Sequence, residues 1–199
     1  EFKPDIIAVD SGGHFTSEVY AYTRDRRKYG VIAIKGASVK DKPPIGKGKK
    51  LDLNWKGRVI KRGAELFTVG TDTIKTTLFS RLKHNDEGAG YLHFNINADE
   101  EYFKQLTAEK QVIRYVKGFP VREWVKKSSA RNEALDTLVY AYAGLHRLYQ
   151  KRDRRTIWDN YEERGRIKGK IKENNNKQDY ISELKSRKKA QKPKFVSSW

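Results

Sequence analysis

Apolar and polar positions alternate along this chain with periods that change several times. The run Ile6-Ile7-Ala8-Val9 is continuous, ends at Asp10 and is followed by Ser11-Gly12-Gly13. A continuous apolar run bounded by glycine predicts a strand buried on both faces of a sheet. From Thr16 to Arg27 the placing of Val19, Tyr20 and Tyr22 predicts a short helix. Val31-Ile32-Ala33-Ile34, closed by Lys35-Gly36, predicts a second buried strand. Strand, helix and strand at this spacing form a βαβ unit, so the two strands are expected to be parallel neighbours.

From Ser38 to Arg62 the chain is rich in Lys, Gly and Pro and poor in apolar residues, which predicts a long mobile loop, of a length that is usually functional or disordered. Leu66 to Gly70 reads as a strand, and Thr71 or Asp72 as the cap of a helix running to about Leu82. Asp86 to Gly90 is turn material, and Tyr91-Leu92-His93-Phe94 alternates as a short strand. Asp99 is expected to cap a helical turn through Phe103, Thr107 to cap a further helix, and Val121 to Val125 to form a strand. The strongest periodicity runs from Asn132 to Gln150. There Leu135, Leu138, Val139, Tyr142, Leu145 and Tyr149 recur every three or four residues, the mark of a helix with one buried stripe.

Beyond that helix the character changes. Residues 151–199 hold 16 Lys and Arg against 7 Asp and Glu, a net of +9 and half of the chain's +18. Gly165, Gly169 and Asn174-Asn175-Asn176 interrupt any long helix. The expected organisation is one α/β domain over residues 1–150, a central sheet flanked by helices, followed by a basic C-terminal tail over 151–199 that is mobile or partly helical.

Composition narrows the function classes. At 199 residues the chain suffices for one domain with a proper core. No apolar run approaches the roughly 20 residues needed to cross a bilayer, and no secretory signal opens the chain, so no membrane role is expected. A net charge of +18 attracts polyanions, of which nucleic acid is the commonest. Lys and Arg reach phosphates and carry no base information, so binding is expected to be salt-sensitive and largely sequence-independent. The absence of cysteine excludes disulfides and thiolate metal sites. Gly46-Lys47-Gly48-Lys49-Lys50 lacks the spacing of a phosphate-binding loop, so no ATPase is expected in this chain.

Two acids stand where chemistry is usually placed. Asp10 ends a predicted strand, the position at which open α/β sheets carry their sites. Asp136 sits in the first turn of the long helix, beside its buried stripe. Brought together, two such carboxylates suit divalent cations, and a pair of cations is a known device for phosphodiester cleavage. Each residue also has a structural reading: Asp10 starts an Asx-turn, and Asp136 complements the helix dipole. From pattern alone the structural readings weigh more. His14 and Glu133 are weaker metal-ligand candidates, and Asp72 reads first as a cap. In the basic segment, Trp55 either stacks on DNA amid Lys47, Lys49, Lys50, Lys56 and Arg58 or anchors the segment to the core. Tyr140 and Tyr142 read as core.

Five stretches together resemble a known family: Val9-Asp10-Ser11-Gly12-Gly13-His14-Phe15-Thr16, Ile34-Lys35-Gly36-Ala37-Ser38, Gly70-Thr71-Asp72-Thr73-Ile74-Lys75, Gln105-Leu106-Thr107-Ala108-Glu109-Lys110, and Arg131-Asn132-Glu133-Ala134-Leu135-Asp136. In this order, with the ending Phe195-Val196-Ser197-Ser198-Trp199, they resemble the C-terminal nuclease domain of large terminase subunits from lambda-like tailed phages and prophages. The resemblance implies an RNase H-like fold and a two-metal endonuclease, using Mg2+ or Mn2+, that cuts concatemeric viral DNA in the host cytoplasm. It matches Asp10 to the acid of the second nuclease motif and Asp136 to the acid on the C-terminal helix. It also implies double-stranded DNA, a small terminase subunit and the portal of the procapsid as partners. The family's first acid lies on a strand upstream of the Asp10 motif. The expectation is therefore of a piece of a larger subunit, without that strand, that cuts weakly. The competing reading is a non-catalytic module that grips DNA or the portal.

Overall fold

The computed structural model describes residues 4–166, together with Gln178 and Ser182. The chain divides into two units, Glu1–Lys151 and Arg152–Trp199. In the second, residues 157–166 are helical. The remainder of the predicted tail, with the Phe195 to Trp199 ending, lies outside the described residues.

The first unit is a mixed sheet flanked by helices. Its strands are β1 (Ile7–Asp10), β2 (Val31–Gly36), β3 (Lys49–Trp55) and β4 (Arg58–Val69), in the order β1-β2-β4-β3. β1, β2 and β4 run parallel, with Asp10 level with Ile34 and Ile34 level with Phe67, and β3 returns antiparallel to β4. Helix α1 (Thr16–Arg26), extended by a 3-10 turn, connects β1 to β2, as the βαβ spacing requires. A second sheet holds only β5 (Glu109–Val116) and β6 (Phe119–Lys126), paired antiparallel along their full length. Helices α2 (Thr71–Arg81), α3 (Glu100–Leu106) and α4 (Glu133–Lys151) complete the unit.

Two apolar clusters hold it together. The larger joins Ile32 and Ile34 of β2, Phe67 and Val69 of β4, Ile74 and Leu78 of α2 and the α4 stripe Leu135, Val139 and Ala143. The smaller joins Ala21 of α1 to Leu53 and Ala64, with Tyr20, Trp55 and Ile60 packed on it. Ala64 and Phe67 are an odd number of positions apart on β4 and point to opposite faces, so the sheet is covered on both sides there.

Five expectations are corrected. β1 is an edge strand and only partly buried, with Ile7 exposed; the buried strand is β2, whose first four residues, Val31 to Ile34, are all covered. Continuous hydrophobicity reports burial without telling a central strand from an edge strand on which a helix packs, here α4. Residues 49–62 are not a loop but most of a hairpin. Leu51, Leu53 and Trp55 alternate with exposed polar residues, and the abundance of Lys hides that period of two. A register shift between Leu51 and Leu53 bends this hairpin, and there the Arg62 N–H donates to Asp52 Oδ1 at 2.7 Å. Thr107 does not start a helix: it closes α3, and the next residues enter β5. Tyr91 to Phe94 is not a strand; no ladder partner lies beside it, and Leu92 and Phe94 pack individually against the larger cluster. More minor is the cap of α2, which is Gly70 rather than Thr71 or Asp72. Asp99 does cap α3, accepting from the Tyr102 N–H at 2.8 Å.

Candidate active site at the end of β1

The chain leaves β1 through a tied loop. The buried Ser11 donates from both its N–H and its Oγ to the Ile34 carbonyl at 2.8 Å, and Thr16 Oγ1 donates to the carbonyls of Ser11 at 3.0 Å and Gly13 at 2.9 Å. These bonds fix the position of Asp10 at the strand end. Its Oδ1 accepts the Gly12 N–H at 2.9 Å, the expected Asx-turn, which leaves Oδ2 facing outward for other partners. A side chain at position 12 would crowd this carboxylate, since its Cβ would stand 3.2 Å from Asp10 Oδ1.

Helix α4 supplies the opposite wall. Leu135 and Val139 are fully buried, which turns Asp136 and Tyr140 toward the flank of the stripe, one turn apart on the same face. Tyr140 Oη donates a long bond of 3.4 Å to Asp10 Oδ2, joining groups 130 residues apart in sequence. Burial, then the negative charges of Asp10 and Asp136, push the Tyr140 phenol up to about 12, so it stays a donor at any neutral pH. The Asp136 carboxyl is also raised. Burial is the larger cause, Lys75 opposes it, and Glu109, Asp10 and Glu133 add to it. The Asp10 charge therefore reaches Asp136 across the gap between β1 and α4.

Behind Asp136 lies a polar network that sequence reasoning left without a role. Lys75 of α2 donates to both oxygens of Glu109 at 2.8 Å and stands 3.8 Å from Asp136 Oδ1. Asn132 Nδ2 donates to Glu109 Oε1 at 2.8 Å and to Asp136 Oδ2 at 3.1 Å. Glu109 is 8% exposed, so a charge is kept inside the protein and compensated there. All three residues fall within the stretches that carry the family resemblance. A buried-network role has no sequence signature of its own.

The weaker candidates fall elsewhere. His14 is exposed. Glu133 is exposed and paired with Arg131 at 3.3 Å. Among the described residues, no group of three or more His, Cys, Asp or Glu converges to hold a metal ion. Asp72 accepts the Asp41 N–H at 2.9 Å and ties down the chain after β2. Lys47, Lys49, Lys50, Lys56 and Arg58 are exposed on and beside the β3–β4 hairpin, while Trp55 is half-buried on the smaller cluster and anchors it.

Comparison with known proteins fixes the family. The model of the terminase large subunit gpA endonuclease domain matches residues 1–157. The chain belongs to that family. Among its relatives, the terminase large subunit of Escherichia phage lambda is 38% identical over 152 residues, covering 73% of this chain and 22% of that protein. The terminase large subunit of Enterobacteria phage P21 is 37% identical over 148 residues, covering 70% and 22%. The chain thus spans about a fifth of the length of the curated relatives it matches. No solved structure matches it. Among the described residues no helix is long and apolar enough to cross a membrane.

Proposed function

We propose that this gpA-type domain is a metal-dependent endonuclease that hydrolyses phosphodiester bonds of double-stranded viral DNA during packaging, with Asp10 and Asp136 as its metal ligands. The observation that carries this reading is the Tyr140 hydroxyl of α4 donating to Asp10 Oδ2 at the end of β1, one helical turn from Asp136, with the phenol raised by both carboxylates. A parallel β1–β2 pair with one acid at its end and another on α4 also supports an RNase H-like fold. Oxygen donors suit Mg2+ or Mn2+. Two carboxylates fit one such ion; a second needs more acids than the described residues bring together, and cutting is accordingly weak unless further ligands are supplied. A bound divalent cation would supply charge neutralisation at the phosphate and acidify a water nucleophile.

The chain's own residues prepare that site. Tyr140 and the Gly12 N–H hold opposite oxygens of Asp10, and Asn132 orients Asp136. Lys75 offsets the negative charge that Glu109 and Asp136 share. Exposed lysines of the β3–β4 hairpin draw in the DNA backbone. The small terminase subunit and the portal belong to this reading as partners of the intact motor. A second reading, a DNA- or portal-gripping module without catalysis, is favoured by one feature: Asp10 closes a turn and Asp136 faces Lys75, so both have structural work.

Incubation with supercoiled plasmid, with and without Mn2+ or Mg2+, separates the two. Changing residues that merely orient ligands costs about 10–100-fold, so losing a ligand costs more. Asp10→Asn and Asp136→Asn are each expected to lower metal-dependent nicking by over about a hundredfold while DNA is still bound. Nicking that survives chelation, or that either variant retains at the wild-type level, defeats the proposal.

A further inference from the structure

We propose that the β5–β6 hairpin is a DNA-engaging arm, rooted beside the two carboxylates, whose tip residues Tyr115, Val116 and Phe119 press against the bases of the duplex to be cut. The inference rests on the nucleic-acid reading above. Within seven positions the arm exposes four large apolar side chains: Ile113 at 61%, Tyr115 at 75%, Val116 at 54% and Phe119 at 74%. The register sets Val116 opposite Phe119 on one face of the ribbon and leaves Ile113 and Tyr115 on the other, so both faces of the tip carry exposed apolar surface, which marks an interaction site.

The charge around the tip selects the partner. Between positions 110 and 127 the cations Lys110, Arg114, Lys117, Arg122, Lys126 and Lys127 face a single acid, Glu123, which pairs with Arg114 at 3.1 Å. An apolar tip with cationic flanks matches a polyanion that also offers flat apolar faces, which describes stacked bases between phosphates. A two-stranded ribbon fits the major groove, and aromatic or aliphatic side chains also wedge between base steps. One flank of the arm, with Arg122 and Trp124, lines a cleft of about 710 Å³ that Lys40 and Lys75 also line. Lys40 Nζ donates to the Arg122 carbonyl across it.

The root of the arm ties it to the site. Glu109, the first residue of β5, is the buried partner of Lys75 and Asn132, and Asn132 also holds Asp136. From Glu109 to Val116 the strand extends about 24 Å, the rise of about seven base pairs. An arm of that reach contacts bases to one side of a phosphate lying at Asp10 and Asp136.

The test is fluorescence anisotropy of a labelled duplex with the full chain, in chelator and at graded salt, alongside plasmid nicking in Mn2+. Tyr115→Ser/Phe119→Ser is expected to weaken duplex binding by about tenfold or more with an unchanged salt slope. Lys117→Gln/Arg122→Gln is expected to reduce that slope by about two. Phe119→Trp, which keeps a stacking ring, should retain wild-type affinity. Binding by the tip variant within about twofold of wild type overturns the proposal. So does a wild-type chain that does not bind duplex. A tip change that instead reduces binding to anionic vesicles, or turns a dimer into a monomer, with duplex affinity intact, also overturns it. Nicking that requires Asp10 and Asp136 but ignores the tip refutes the arm and leaves the nuclease. Tip-dependent binding without Asp10- and Asp136-dependent nicking does the reverse.

Discussion

The two hairpins of this domain are built alike and used differently. Both are basic antiparallel pairs that reverse at a Lys-Gly turn: Lys56-Gly57, with φ of 51° and 74°, and Lys117-Gly118, with φ of 51° and 82°. Positive φ at both central residues matches the right-handed twist of the strands, which is why glycine takes the second place in each. In β3–β4 the inward side chains are covered: α1 packs on both strands, and Leu53 is 1% exposed. In β5–β6 none of the described residues covers the tip, and Phe119 is 74% exposed. The strand code is the same; what differs is whether a helix arrives to bury one face. Apolar residues on a hairpin therefore mean core in one case and an available surface in the other.

The sharpest way to break the comparison is at the root of the second hairpin. Lys75→Met leaves Glu109 buried without its cation, and should cost about 3–5 kcal/mol of stability in urea unfolding. An unchanged midpoint would mean that the root is not a buried ion pair in solution. Next in size, Leu53→Ala should cost about 3 kcal/mol, because it empties space beneath α1. Phe119→Ala should stay within about 0.5 kcal/mol of wild type. Equal losses from those two would show that the second hairpin is covered after all.

The turns should respond alike, since neither glycine has a neighbour that an added Cβ would meet. Gly57→Ala and Gly118→Ala are each expected to cost about 1–2 kcal/mol, from left-handed backbone alone. A large inequality would show that one turn carries a tertiary constraint the other lacks.

The smallest effect concerns proton binding at Asp136. Its carboxyl is raised in the folded state from 3.8, mainly by burial. The folded state therefore holds a proton that the unfolded chain has released, and stability falls as pH rises between 3.8 and the folded value. Carboxyl-detected NMR of the metal-free protein should show this. Lys75→Met should raise the midpoint further, because Lys75 lowers it; Glu109→Gln should reduce it, because Glu109 raises it. Movement in the same direction in both variants would contradict this assignment of causes.

Much of the fold was legible. α4 is long, amphipathic and free of proline, so its stripe is readable to within a residue or two at either end, and β2 is marked by four successive apolar residues. The β1–α1–β2 unit followed from spacing alone. The hairpins are harder to read, because the exposed Lys49 and Lys50 open β3 ahead of its alternation, and because β5 follows α3 with only Thr107 and Ala108 between them. At the site, position alone marks Asp10 and Asp136, whereas Lys75, Glu109 and Asn132 stand out only as members of the family motifs. Tyr140 was read as core, and it is half-buried against the larger cluster with its hydroxyl on Asp10.

Periodicity and turn chemistry, being local, let the sequence determine the βαβ unit, the long helix, the strand-end and helix acids and the basic surface, and its motifs determined the family. Which strand lies at the edge, which hairpin is covered and which charge is buried depend on contacts between residues far apart in the chain. Those contacts were decided only when the tertiary structure brought β1, α2, β5 and α4 together around Asp136.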